Sequence, residues 1–116
     1  MDKTSTIELL VSTNNLNPED IPMFELGVKI TNSQSEIIPF DLSDSSLYVN
    51  SERNIAWDLT VNNGTLMNIK ISPGKSETIF WPIGEALFQS PGIYELKLVR
   101  DTYIQKQVVY IAEIRT

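Results

Sequence analysis

The 116 residues are enough for one domain with its own core, and a composition 41% hydrophobic and 21% charged is that of an ordinary globular chain. A net charge of -6 opposes binding to nucleic acid or to anionic membranes, whose phosphates would repel it. With no cysteine and no histidine, disulfides, thiol chemistry, Ser-His-Asp machinery and the usual transition-metal ligands are all excluded, and no cofactor is expected.

In chain order, Met1-Asp2-Lys3-Thr4 lacks a basic flank, and Ile7–Val11 is too short and acid-interrupted for a signal peptide. No apolar run approaches the length of a membrane span. The expectation is a cytoplasmic protein without membrane insertion, an exported mature domain being the other option. Thr4–Thr13 reads as a first strand, with Ile7, Leu9 and Val11 on one face. Asn14–Asp20 is dense in turn formers, and a short helical turn from Pro18 with Asn17 as N-cap is conceivable. Phe24–Thr31 is the cleanest strand, with Phe24, Leu26, Val28 and Ile30 on one face.

Asn32–Ser35 turns the chain into Ile37–Leu42, where Pro39 cannot donate to a ladder and so points to a sheet edge or a bulge. After a bend at Ser43–Ser45, Ser46–Asn50 is again extended. Ile55–Val61 alternates like a strand with Ile55, Trp57, Leu59 and Val61 facing the core, and Asn62-Asn63-Gly64 is a hairpin signal into a returning strand over Thr65–Ile71. Ser72–Lys75 is a turn and Ser76–Trp81 a strand. Pro82–Ser90 is a longer loop with room for one helical turn over Glu85–Phe88. Pro91-Gly92 opens a strictly alternating strand through Val99, with Tyr94, Leu96 and Leu98 on its apolar face, and Tyr94 stands where a tyrosine corner would put it. Arg100–Thr102 turns into a closing strand over Tyr103–Ile114. Short strands at near-regular spacing, with no sustained helical period, predict an all-β fold: one immunoglobulin-like or fibronectin III-like Greek-key sandwich over residues 1–116, with about seven to nine antiparallel strands.

Motifs that carry chemistry are sparse. Asp41–Ser46 is the densest oxygen cluster, but it lacks the spacing of a twelve-residue calcium loop and reads as a polar turn. Gly74-Lys75-Ser76 matches the end of a phosphate-binding loop without its upstream glycine, and a strand follows. Asn63-Gly64-Thr65 matches a glycosylation acceptor and is more simply the hairpin turn. A glycosidase carboxylate pair needs only to meet in space, so the sequence leaves it open, though a small, loop-poor domain without a recognisable cleft argues against it. Phe80 and Trp81 are adjacent on a strand and face opposite sides, so one leaves the core. With Ile83, Leu87 and Phe88 they form an aromatic loop that either anchors a partner or folds back as a cap on the sandwich end.

From Phe24 to Val99 the chain resembles the BsuPI-type intracellular proteinase inhibitors of bacteria. The resemblance is carried by Phe24 and Val28–Asn32, by Phe40 and the Ser43-Asp44-Ser45 bend into Leu47-Tyr48-Val49, and by Ser51–Asn54 ahead of Trp57. Pro73-Gly74-Lys75-Ser76, Trp81 and Pro91-Gly92-Ile93-Tyr94 complete it. The family tends to carry Gly-Gln and an aromatic–acidic pair after the bend, where this chain has Asp44-Ser45-Ser46-Leu47. It also tends to carry a second aromatic and a serine after the tryptophan, where this chain has Asp58-Leu59-Thr60. The resemblance implies a small, acidic, immunoglobulin-like sandwich that inhibits a peptidase, and it transfers no inhibitory residue.

The expected function is therefore non-catalytic protein binding, with a peptidase as the partner the resemblance implies. Strands alternating in direction would bring Asn14–Pro22, Ser43–Ser45, Asn62–Gly64 and Pro82–Ser90 to one end, with Trp81, Ile83, Leu87, Phe88 and Asn63 as partner-binding residues. The alternatives are a structural or assembly domain and a carbohydrate-binding sandwich using Trp81, Tyr48 or Tyr103 as stacking platforms. An enzyme ranks last.

Overall fold

The computed structural model describes residues 6–61, 68–100 and 103–113. In chain order the strands are β1 (Thr6–Val11), β2 (Asn15–Leu16), β3 (Leu26–Thr31), β4 (Ile38–Pro39), β5 (Ser46–Val49), β6 (Glu52–Arg53), β7 (Lys70–Ile71), β8 (Ser76–Trp81), β9 (Gly92–Arg100) and β10 (Tyr103–Ile111). The helical elements are short, a 3-10 turn (Pro18–Met23), α1 (Ile55–Val61) and α2 (Gly84–Leu87), and the described fold is all-β. The strands form a three-stranded sheet β1-β3-β8, a five-stranded sheet β2-β10-β9-β5-β6 and a small pair β4-β7. The pairing of β2 with β10 is parallel, a departure from the antiparallel strands expected throughout.

The period-2 pattern places the core. Ile7 and Leu9 of β1, Leu26, Val28 and Ile30 of β3, Leu47 of β5, Leu96 and Leu98 of β9, and Val109 and Ile111 of β10 are all buried in one cluster shared by the two larger sheets. Trp81 and Ile79 of β8 pack against the same cluster. Phe80, between them, faces outward at 43% exposure, and its ring lies over Gly27, its register partner on β3, where a side chain on the glycine would collide with it. Tyr94 does form the corner: its hydroxyl donates to the Ser90 carbonyl at 2.7 Å.

Ile55–Val61 is an α-helix, which corrects the strand expected there. Asn54 caps it, its Oδ1 accepting the Trp57 N–H at 2.8 Å. In the helix Trp57 and Val61, four apart, share the buried face, while Ile55 and Leu59 face out at 70% and 73% exposure. The same apolar spacing satisfies both periods, and the cap decides between them. Trp57 has no solvent exposure. Its indole N–H donates to Ser45 Oγ at 3.0 Å, and Ser45 donates in turn to the Leu42 carbonyl at 2.6 Å. Of the strand expected over Ile37–Leu42, Ile38–Pro39 pairs with β7, as the proline allows, and the Phe40 N–H extends the contact to the Ile69 carbonyl at 2.8 Å. The Asn62–Gly64 hairpin lies outside the described residues, as do the first three residues of the returning strand, whose end at Lys70–Ile71 pairs with β4.

Asn32, 1% exposed, ties down the end of β3. Its side-chain amide donates to the carbonyls of Glu36 at 2.7 Å and Ile71 at 2.8 Å, and its Oδ1 accepts the Gln34 N–H at 2.8 Å. Its backbone exchanges bonds with Lys75 and Gly74, closing the Ser72–Lys75 turn in which Gly74 takes a φ of 77°. Replacing Asn32 by Ala would leave the buried Ile71 carbonyl, and the half-buried Glu36 carbonyl and Gln34 N–H of the neighbouring loop, without their partner. Urea unfolding of Asn32→Ala is expected to show stability lower by about 2–4 kcal/mol at unchanged denaturant slope.

Candidate functional site

Two loops meet where β9 begins. The 3-10 turn Pro18–Met23 packs on α2, and Gly84 is needed there because a β-carbon would strike the Ile21 carbonyl. This brings Asn14–Pro22 and Pro82–Ser90 to one end, as expected from alternating strands. Ser43–Ser45 is not with them. Ser46 pairs with Val99, and Asp44 meets Arg100 at 3.1 Å, at the opposite end of β9 from Gly92. Asn63 lies outside the described residues.

The remaining sequence-derived site residues turn inward. Leu87 and Phe88 are 5% and 2% exposed, so they are core residues and not surface anchors. Phe88 stands edge-on to Phe24, ring centres 4.9 Å apart, and to Tyr94 at 4.8 Å. Trp81 and Ile83 pack on the core, Trp81 edge-on to Trp57 at 5.2 Å. Folding back hides a large apolar area from water, which a loop held open would leave exposed. The aromatic loop is the cap.

What the cap creates is a cleft of about 400 Å³. Val49, Asn50, Glu52, Arg53 and Asn54 form one side; Ala86, Leu87, Gln89, Ser90 and Tyr94 form the other. The first side is shaped by a tight turn. Asn50 and Ser51 both take positive φ, 49° and 72°, the signature of a two-residue hairpin turn whose twist matches its strands. Asn50 is pinned to β9 three times: its backbone N–H donates to the Glu95 carbonyl at 2.9 Å, its Oδ1 accepts the Glu95 N–H at 2.8 Å, and its side-chain amide donates to the Ile93 carbonyl at 3.4 Å. Asn54 bridges the sides, its amide donating to the Ala86 carbonyl at 3.1 Å. Arg53 meets Asp58 through Nε at 3.1 Å and a second nitrogen at 3.3 Å. That hydrogen bond, and then the carboxylate's charge, hold the guanidinium above its ordinary pKa. The walls are polar and hydrogen-bonded, and the exposed face of α1 begins beside them.

Among the described residues no group of three or more Asp or Glu is placed to hold a metal ion, and none of their helices is long and apolar enough to cross a membrane, a statement about helices alone. The Asp41–Ser46 cluster is a local turn. Asp41 Oδ1 accepts from the Ser43 N–H at 2.9 Å and the Ser43 hydroxyl at 2.7 Å. These bonds, backbone first, with the Arg100 charge adding to them, hold its carboxyl below the ordinary value against the opposing effect of partial burial.

The surfaces missed in the sequence are Ile55 and Leu59, hidden by the strand reading, and Asn50-Ser51, which carries no glycine to mark the turn. Asn54 ahead of an apolar run was the available signal for the helix.

No protein-family model matches the chain, and comparison with curated proteins finds no match. Among solved structures the chain is similar to a crystal structure of an FMN-binding β-glucuronidase from Facaelibacterium prausnitzii L2-6, at 12% identity and a TM-score of 0.39. The match covers 98% of this chain and 13% of that one.

Two outcomes test this geometry. Ser51→Gly removes left-handed strain and is expected to raise stability by up to about 1 kcal/mol in thermal unfolding; a loss would mean that the serine side chain is needed. Asp41→Asn is expected to lower stability at neutral pH by under about 1 kcal/mol. Because the folded Asp41 pKa lies below the ordinary 3.8, its contribution is complete above that value and is lost as pH falls through the folded pKa. The two proteins should therefore converge in acid.

Proposed function

We propose that this chain is a non-catalytic protein-binding domain, an immunoglobulin-like Greek-key sandwich over 1–116 that inhibits a peptidase through the end where β9 begins. Three features support the sandwich. Inward residues of both larger sheets share one cluster. The N-terminal segment serves both sheets, β1 beside β3 and β2 parallel to β10. The Tyr94 corner bond closes the turn into β9.

The observation that carries the binding reading is the outward face of α1. Ile55 and Leu59, 70% and 73% exposed, stand one turn apart on a helix fixed by the Asn54 cap and the buried Trp57. They adjoin the cleft through Arg53 and Asn54, so a rigid apolar ridge flanks a polar-walled notch. Apolar anchors on a rigid element, rimmed by polar groups, are what a protein partner's pocket takes. Phe88 and Leu87 contribute by holding α2 in place beneath the notch. Inhibition is steric: the ridge and notch occlude the partner's substrate cleft, and no covalent step is involved.

The test is titration of purified bacterial cytosolic endopeptidases with wild type and with Ile55→Ala/Leu59→Ala. Inhibition weakened about tenfold or more in the variant, with unchanged thermal unfolding, is expected. Absence of inhibition across the panel, or equal inhibition by the variant, would leave a structural or assembly domain.

A further inference from the structure

The outward face of the five-stranded sheet carries a second feature, a row that shares only Arg53, ion-paired to Asp58, with the cleft. Register places Arg53 opposite Tyr48, Tyr48 opposite Lys97, and Lys97 opposite Lys106. Residues in register share a face, so one row across β6, β5, β9 and β10 reads Arg-Tyr-Lys-Lys. The buried neighbours Leu96, Leu98 and Val109 fix this face as the outer one. Lys97 Nζ lies 5.2 Å from the Tyr48 ring centre, which confirms the shared side.

Directly opposed lysines repel, a local conflict in a chain with only 9 basic residues against 15 acidic ones. Three of those basic residues sit in this one row. Four outward cross-strand pairs line β9 and β10: Ile93 with Tyr110, Glu95 with Val108, Lys97 with Lys106, and Val99 with Ile104. Glu95 is the one carboxylate among them. Ile93, Ile104, Val108 and Tyr110 are 67%, 56%, 51% and 49% exposed, so apolar surface flanks the lysines on both sides.

We infer that this sheet face docks a polypeptide segment of a partner protein in which carboxylates and apolar side chains alternate, the carboxylates seated over Lys97 and Lys106. Charge complementarity selects the occupant. A carboxylate between the lysines converts a repulsive pair into two attractive contacts, and the flanking isoleucines, valine and tyrosine take the apolar side chains. A nucleic acid fits less well, because its continuous phosphate charge runs beyond the row onto a surface that is net negative. A second copy of the chain would bring the same lysines and repeat the conflict. Lys97 and Lys106 do not line the cleft, so the inference stands apart from the α1 reading.

The probe is a fluorescent synthetic peptide alternating Glu and Val, titrated by anisotropy beside its Lys–Val counterpart and a single-stranded oligonucleotide. The acidic peptide is expected to bind wild type alone of the three, and to weaken steeply between about 50 and about 300 mM salt. Lys106→Glu is expected to weaken it at least about tenfold while thermal unfolding stays equal or rises, since the opposed lysines become a Lys–Glu pair. Lys106→Gln should fall between. The inference is overturned if the acidic peptide does not bind, if Lys106→Glu binds it as wild type does, if the oligonucleotide binds instead, or if sedimentation shows a dimer that Lys106→Glu dissolves.

Discussion

An indole N–H taken wholly out of water must find an acceptor, and most of this molecule is arranged around that demand. Trp57 finds it in Ser45 Oγ, and Ser45 passes the bond to the Leu42 carbonyl. The three residues come from the helix and from the segment between β4 and β5, so the bond fixes how α1 lies against the sheets. An unmade bond at this depth costs the desolvation of a polar group, of order 1–3 kcal/mol. The ring's other surface meets Trp81, which holds the end of β8 inward and leaves Phe80 to cover Gly27 outside. Helix, bend and strand end are set together.

Two asparagines do for the backbone what Trp57 does for the core. Asn32 gathers the loops below β3, and Asn54 both starts α1 and ties it to α2 through Ala86. Each uses amide and carbonyl oxygen at once, a pairing no apolar side chain can supply. The notch at the other end follows from Asn54 and from the strained Asn50-Ser51 turn. The aromatic loop is then free to spend its area on the core, edge to face with Phe24 and Tyr94. The surface left for a partner is made of residues the core did not need.

Much of the fold was legible because strand alternation reports burial directly. Phe24, Leu26, Val28 and Ile30, and again Leu96 and Leu98, are buried where their parity put them. The Tyr94 corner, the Pro39 edge and the short helical turn from Pro18 were also readable, because each rests on a local property of the residue. Asn17 precedes that turn as expected, though its side chain makes no capping bond. The site was less legible. Trp81, Ile83, Leu87 and Phe88 were identified as a unit, but whether an aromatic loop reaches outward or folds back depends on the cavity waiting for it.

Residue type and nearest-neighbour sterics already dictate an all-β chain without thiol or imidazole chemistry, the faces of its main strands and the positions of most turns. That Ile55–Val61 is a helix was settled by long-range packing. Its apolar residues fall at even spacings that suit a strand and also at spacings of four that suit a helix, and the choice came from the Asn54 cap and the acceptor at Ser45. Tertiary structure also decided that Ser43–Ser45 lies apart from Pro82–Ser90, and that Lys97 and Lys106 face each other. The first is a matter of pairing between distant segments, set by the packing of the whole core, and the second of the register between the consecutive strands β9 and β10.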